Sequence, residues 1–112
     1  MNYDALIKKM NTLEYHQSLL LKMISNTDKQ FYKLIIEKTL SEKDVEQFNQ
    51  LCDKLSLEIE EQKAEGFVYF HPLFEKFKNS LHPNLHPNEV IQACLRQQLY
   101  LPLMLEFRKY IP

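Results

Sequence analysis

The side chains best suited to nucleophilic or metal chemistry in this chain are two cysteines and four histidines. Cys52 and Cys94 stand far apart and neither belongs to a Cys-x-x-Cys pair, so the spacing suggests neither a zinc ribbon nor a redox dithiol. Both fall on apolar helical stripes, where burial raises the thiol pKa and makes the sulfur inert. Three histidines, His71, His82 and His86, each precede a proline, and the tetrapeptide Leu-His-Pro-Asn occurs twice, at 81–84 and 85–88. His82 and His86 mimic the i, i+4 spacing of a helical metal pair. A residue before proline is pushed out of the α region, however, so the two rings need not share a helix face. The reading is therefore a loop that caps the next helix, with Pro87 and Glu89 at its first and third positions, and no metal or cofactor is expected.

The acidic cluster Glu58, Glu60, Glu61 and Glu65 has the composition of a divalent-cation or acid–base site. A solvated helix face is the commoner use of such a run. Glu61 and Glu65 nevertheless repel at i, i+4 and oppose the helix dipole, a local strain that a basic partner surface would offset. They are carried forward as a candidate partner face. The chain has no phosphate-cradling glycine loop and no Gly-x-Ser-x-Gly elbow.

These residues must be positioned by helices. The chain has a single glycine, Gly66, whereas multi-stranded folds usually need several at turns and bulges. Pro72, Pro87 and Pro102 each stand where a helix can begin, because the first turn does not need their missing N–H. The pattern predicts an all-α, multihelical single domain over 1–112, with about six helices.

The first helix, Tyr3 to Ser25, shows a heptad pattern over three repeats, with Leu6, Leu13 and Leu20 at d and Tyr3, Met10, Gln17 and Ile24 at a. Ile7, Leu19, Leu21 and Met23 add a second apolar edge, so this long helix must pack on two sides. Gln17 is a polar residue in an apolar seam, a device that sets register and strand number at some loss of stability. The reading is an oligomer seam of Leu6, Met10, Leu13, Gln17, Leu20 and Ile24, joining a homo-oligomer of two or three chains.

Thr27 and Gln30 form a capping-box signature for a second helix ending near Thr39, with Phe31, Leu34, Ile35 and Lys38 on one face. Ser41 and Asp44 form the acidic version of that cap, and Leu40 is placed to staple against Val45. The third helix runs from Glu42 to about Glu65 with Val45, Phe48, Leu51, Cys52, Leu55 and Ile59 inward, and Gly66 supplies a left-handed stop. Phe67-Val68-Tyr69-Phe70 reads as an extended connector that buries its aromatics. Three short helices come next. Leu73, Phe74, Phe77 and Leu81 face inward on the first, Val90, Ile91, Cys94 and Leu95 on the second, and Leu103, Met104, Phe107 and Ile111 on the third.

Apolar residues make up 45% of the chain and charged residues 26%, with a net charge of −1, a globular balance that excludes a disordered polyelectrolyte. The 14 basic residues are scattered among 15 acids, so no field for nucleic acid or anionic lipid is expected. A helix-turn-helix over the second and third helices would place Glu42, Asp44, Glu46 and Asp53 against phosphates. No apolar run reaches the ~18 residues of a membrane span, and the amino terminus lacks a signal peptide's order. The expected address is the cytosol.

Several segments look familiar: Phe31-Tyr32 with Leu34-Ile35-Ile36, Leu40-Ser41, and above all Gln62-Lys63-Ala64 followed by Gly66-Phe67-Val68 and Phe70. They resemble the YhaI family, small proteins of Bacillus-like bacteria, over nearly the whole chain, including the stretch from Leu99 through Phe107. The resemblance implies a multihelical homo-oligomer in a bacterial cytosol and supplies no activity. The His-Pro repeats are this chain's own departure from the family pattern. The functional expectation is a non-enzymatic, homo-oligomeric interaction or scaffold protein. The alternatives are a small regulator that touches nucleic acid and an enzyme with its site at a subunit interface.

Overall fold

The computed structural model describes residues 2–112. Among them lie six helices and no strand: α1 (Tyr3–Ile24), α2 (Gln30–Glu37), α3 (Glu42–Ala64), α4 (His71–Ser80), α5 (Pro87–Gln97) and α6 (Leu101–Arg108). The all-α expectation holds, and the observed helix ends lie within about three residues of those read from the sequence.

Aromatic packing organises the core. Phe48, on the apolar stripe of α3, stacks on Phe31 of α2 with ring centroids 5.1 Å apart and meets Phe77 and Tyr100 edge-on at 6.4 Å. Phe77 lies 5.0 Å from Phe107, which carries the contact to α6. Each such pair contributes about 0.5–1.5 kcal/mol beyond the burial of its area. Around these rings α2 packs on α5, α5 on α6, and α3 on both α4 and α6. The inward residues expected on α3 to α6 are buried or half-buried.

Side chains and left-handed residues set the helix ends. Asn2 Oδ1 accepts from Ala5 N at 2.8 Å and opens α1. The Ser41–Asp44 box forms in full: Ser41 Oγ accepts from Asp44 N at 3.1 Å, and Ser41 N donates to Asp44 Oδ2 at 2.9 Å. Three helices stop in the same way, with a left-handed residue followed by a backbone bond reaching five residues back. Leu40 N donates to Ile35 O, Phe67 N to Gln62 O and Leu99 N to Cys94 O. The left-handed residues are Thr39, Gly66 and Gln98, at φ of 57°, 96° and 62°.

Two local expectations are corrected. Thr27 and Gln30 do not cap α2, whose first turn starts after Lys29 and has no cap from its own segment. Gln30 Nε2 turns back to Thr27 O at 2.8 Å and Ile24 O at 3.2 Å, closing the α1–α2 turn. The open amides of α2 find a distant acceptor: Gln97 Oε1, at the end of α5, takes Phe31 N at 2.9 Å and Tyr32 N at 3.2 Å. The connector after Gly66 buries only Phe70, because the stop at Gly66 turns Phe67, Val68 and Tyr69 to the surface. Phe70 N donates to Tyr110 Oη at 2.9 Å, so one aromatic anchors the segment and three residues stay outside.

Thr39 is a β-branched residue held left-handed, a conformation that crowds Cβ against the following carbonyl and costs about 1–2 kcal/mol. Thr39→Gly relieves that crowding and gives back part of the gain to chain entropy. The expected outcome is a thermal midpoint about 2–5 °C higher by circular dichroism; an unchanged or lower midpoint contradicts the strain argument.

Candidate functional site

α1 is the exposed element of the fold. None of its 22 residues is buried, and its packing within the chain is mainly against the eight-residue α2. At 1.5 Å per residue α1 spans about 33 Å and α2 about 12 Å, so α2 is too short to cover it. The molecule is correspondingly drawn out, 63 × 28 × 21 Å.

α2 takes one edge of the seam near its C-terminal end. Gln17 Nε2 donates to Ile36 O at 3.3 Å, and Leu21 and Ile24 are half-buried. Two of the six seam residues read from the sequence, Gln17 and Ile24, therefore lie where α1 meets its own chain. The other four remain open, with Leu6 41%, Met10 53%, Leu13 56% and Leu20 53% exposed. Tyr3, Ile7, Leu19 and Met23 are exposed as well. Large apolar side chains are thus exposed along most of α1, beyond the scattered single ones usual on a protein surface.

The second expected surface is plainer. Glu61 and Glu65 are exposed, and neither takes part in an ion pair among the described residues. Glu58 of the same cluster instead pairs with Lys76 of α4 at 2.9 Å. Beside the end of α3, Phe67 and Val68 border a shallow groove with Lys63, Lys109 and the buried Glu106, whose carboxylate takes Lys109 Nζ at 2.6 Å. Nothing in the sequence pattern marks Glu106, which falls on the inward stripe of a short amphipathic helix.

The His-Pro loop holds neighbouring elements together. His82 Nδ1 accepts from Asn84 N at 3.0 Å, and its Nε2 stands 3.7 Å from Asp44 Oδ2. Asn84 Nδ2 donates to Lys38 O at 3.0 Å, closing the C-terminal end of α2, while Lys38 Nζ pairs with Glu89 at 3.5 Å. Pro87 opens α5 as expected. A cavity of about 260 Å³ lies beside this loop, between Phe48, Leu51 and Leu85. Its polar lining is Asp44, Gln47, Ser80 and His82, of which Asp44 and His82 are engaged with Ser41 and Asn84. Among the described residues no cluster of three or more His, Cys, Asp or Glu side chains could hold a metal ion.

Neither thiol reaches solvent, and burial pushes Cys94 up to about 12 and Cys52 above the usual thiol range. A thiolate nucleophile at neutral pH is not available from either.

The geometry defines a class: a multihelical protein whose longest run of exposed apolar side chains lies on one projecting helix. The chain belongs to the family described as Protein of unknown function (DUF1878), whose model matches residues 3–112. No helix among the described residues is long and apolar enough to cross a membrane.

Two outcomes test this description. Cys52 and Cys94 in the folded protein should resist an aromatic disulfide reagent for hours at pH 8 and react within minutes in denaturant; fast native reaction would contradict their burial. Asp44 is held below the ordinary carboxylate value of 3.8, first by the Ser41 backbone N–H and further by the Ser41 hydroxyl, with His82 and Lys43 contributing. A carboxyl with a depressed folded pKa stabilises above its unfolded pKa, and that contribution disappears as pH falls through the folded value. Asp44→Asn should therefore melt earlier than wild type at neutral pH, with the gap closing below the ordinary value of 3.8. A gap that persists unchanged at acid pH would assign the loss to something other than the charge.

Proposed function

We propose that this chain is a non-enzymatic protein of a bacterial cytosol that self-associates through α1 and serves as a scaffold or interaction module. The observation that carries the reading is that α1 buries no residue within its own chain while presenting Leu6, Met10, Leu13 and Leu20 to solvent. Covering a leucine or methionine side chain contributes about 1.5–3 kcal/mol relative to leaving it in water. These four are 41–56% exposed, so about half of that is still to be gained at each, and over two copies the gain is of the same order as the loss of translational and rotational freedom on association.

Three further features support the reading. Both thiols are buried and His82 bonds within its own loop, which gives no support to a cysteine nucleophile or to a free histidine base there. The sequence resembles the YhaI family of Bacillus-like bacteria, and that resemblance carries the cytosolic, homo-oligomeric expectation. A nucleic-acid regulator is disfavoured because α3 opens with Glu42 and Asp44, which repel phosphates.

Light scattering on the wild-type protein should give a mass of two or three times 13.5 kDa. Leu13→Glu places a charge in the seam without touching the core, and it should lower the mass toward one chain while the helical signal is retained. A wild-type protein that remains a folded single chain at tens of micromolar would overturn the proposal.

A further inference from the structure

Resting on the self-association reading, we infer that α1 meets a second copy of itself in parallel and in register, with Lys9 of one copy beside Glu14 of the next. The two halves of α1 differ in how much of the seam is free. From Tyr3 to Leu13 both edges are open, the a edge at Tyr3 and Met10 and the d edge at Leu6 and Leu13. From Gln17 onward α2 occupies the a edge, and only the d edge at Leu20 remains, flanked by Met23. The free surface is thus wide over the first half and narrow over the second.

Three ways of laying two such helices together can be compared. A fully overlapped antiparallel pair sets each wide half against a narrow one and leaves the surplus edge, Tyr3 and Met10, unmatched. An antiparallel pair overlapped only over 3–13 matches the wide halves and leaves Leu20 and Met23 in water. The parallel, in-register arrangement sets wide on wide and narrow on narrow, with Leu6, Leu13 and Leu20 each meeting their own copy.

Charge selects the same arrangement. With Leu6 and Leu13 at d, Lys9 falls at g and Glu14 at the following e, the positions that face each other between parallel helices. In the antiparallel alternatives g faces g, so Lys9 meets another Lys9 or His16. Neither Lys9 nor Glu14 has an ion-pair partner in its own chain among the described residues. Glu14 borders a groove with Glu37, so a lysine arriving from a neighbour finds two carboxylates there.

Disulfide trapping tests the arrangement on the full chain, since Cys52 and Cys94 are buried and give little background. Leu6→Cys and Leu20→Cys, each prepared alone and oxidised mildly, should both run mostly as covalent dimers on a non-reducing gel. A mixture of the two variants should give almost no crossed product, because residues 6 and 20 lie about 21 Å apart along a parallel pair, too far for a disulfide. Lys9→Glu alone should raise the dissociation constant several-fold, and adding Glu14→Lys should restore it. An assembly that stays oligomeric by light scattering, yet links residue 6 to residue 20 or to neither, overturns the parallel arrangement while leaving self-association standing. A monomeric wild type overturns both.

Discussion

The placement of α1 depends on a helix of two turns. α2 has eight residues, and isolated helices of that length are marginal in water because the nucleating turn is unfavourable. It is held from outside. Gln97 takes two of its open amides at one end, Asn84 takes the carbonyl of Lys38 at the other, and Glu89 holds the Lys38 ammonium. All three clamping residues belong to α5 or to the loop before it. Phe31 and Leu34 then anchor α2 in the core against Phe48. Because α1 packs mainly on α2, the direction in which α1 leaves the body is set by side chains more than forty residues away in sequence.

Support from a distance also explains how a chain with one glycine turns so many corners. The stops after α2, α3 and α5 use one backbone pattern, yet only the stop after α3 has the residue that adopts it without strain. At Thr39 and Gln98 the pattern is maintained by the next residue along the chain. Leu40 and Leu99, just past the turn, are half-buried against the core, and their burial offsets the left-handed backbone. Gly66 is succeeded by Phe67, Val68 and Tyr69, which stay outside, so at that corner there is no such compensation and glycine is needed.

Periodicity made the helices legible. The apolar stripes of α3 to α6 appear in the sequence as they lie in the core, and the Ser41–Asp44 box and the proline starts are local signals with local partners. What periodicity could not show were bonds between distant residues. Thr27 and Gln30 have the right types and spacing for a cap, but the signature does not reveal that Gln30 closes the preceding turn and that Gln97, 66 residues beyond Phe31, takes its place. Likewise the aromatic run after Gly66 reads as core by composition. Its exposure results from the direction in which the left-handed glycine sends the chain, and no count of apolar residues encodes that direction. The apolar stripe of α1 was legible; its division between α2 and solvent was not, because that depends on the length of α2 relative to α1.

Gln17 shows why that division matters. In a seam buried between copies, a glutamine specifies register by demanding a partner across the interface. Here its amide donates to Ile36 O, in the last turn of α2, a carbonyl that also accepts from Thr39 N at 3.3 Å. The polar residue thus bonds across to α2 within its own chain. A shift of α2 by one turn, about 5.4 Å, would break this bond and would also pull Phe31 away from Phe48. Register along the α1–α2 pair is thus set from within the chain, and the d edge carrying Leu6, Leu13 and Leu20 is left uniformly apolar. An apolar edge favours association without dictating its alignment, so in the proposed assembly alignment falls to the charges beside the edge and to where the edge is wide.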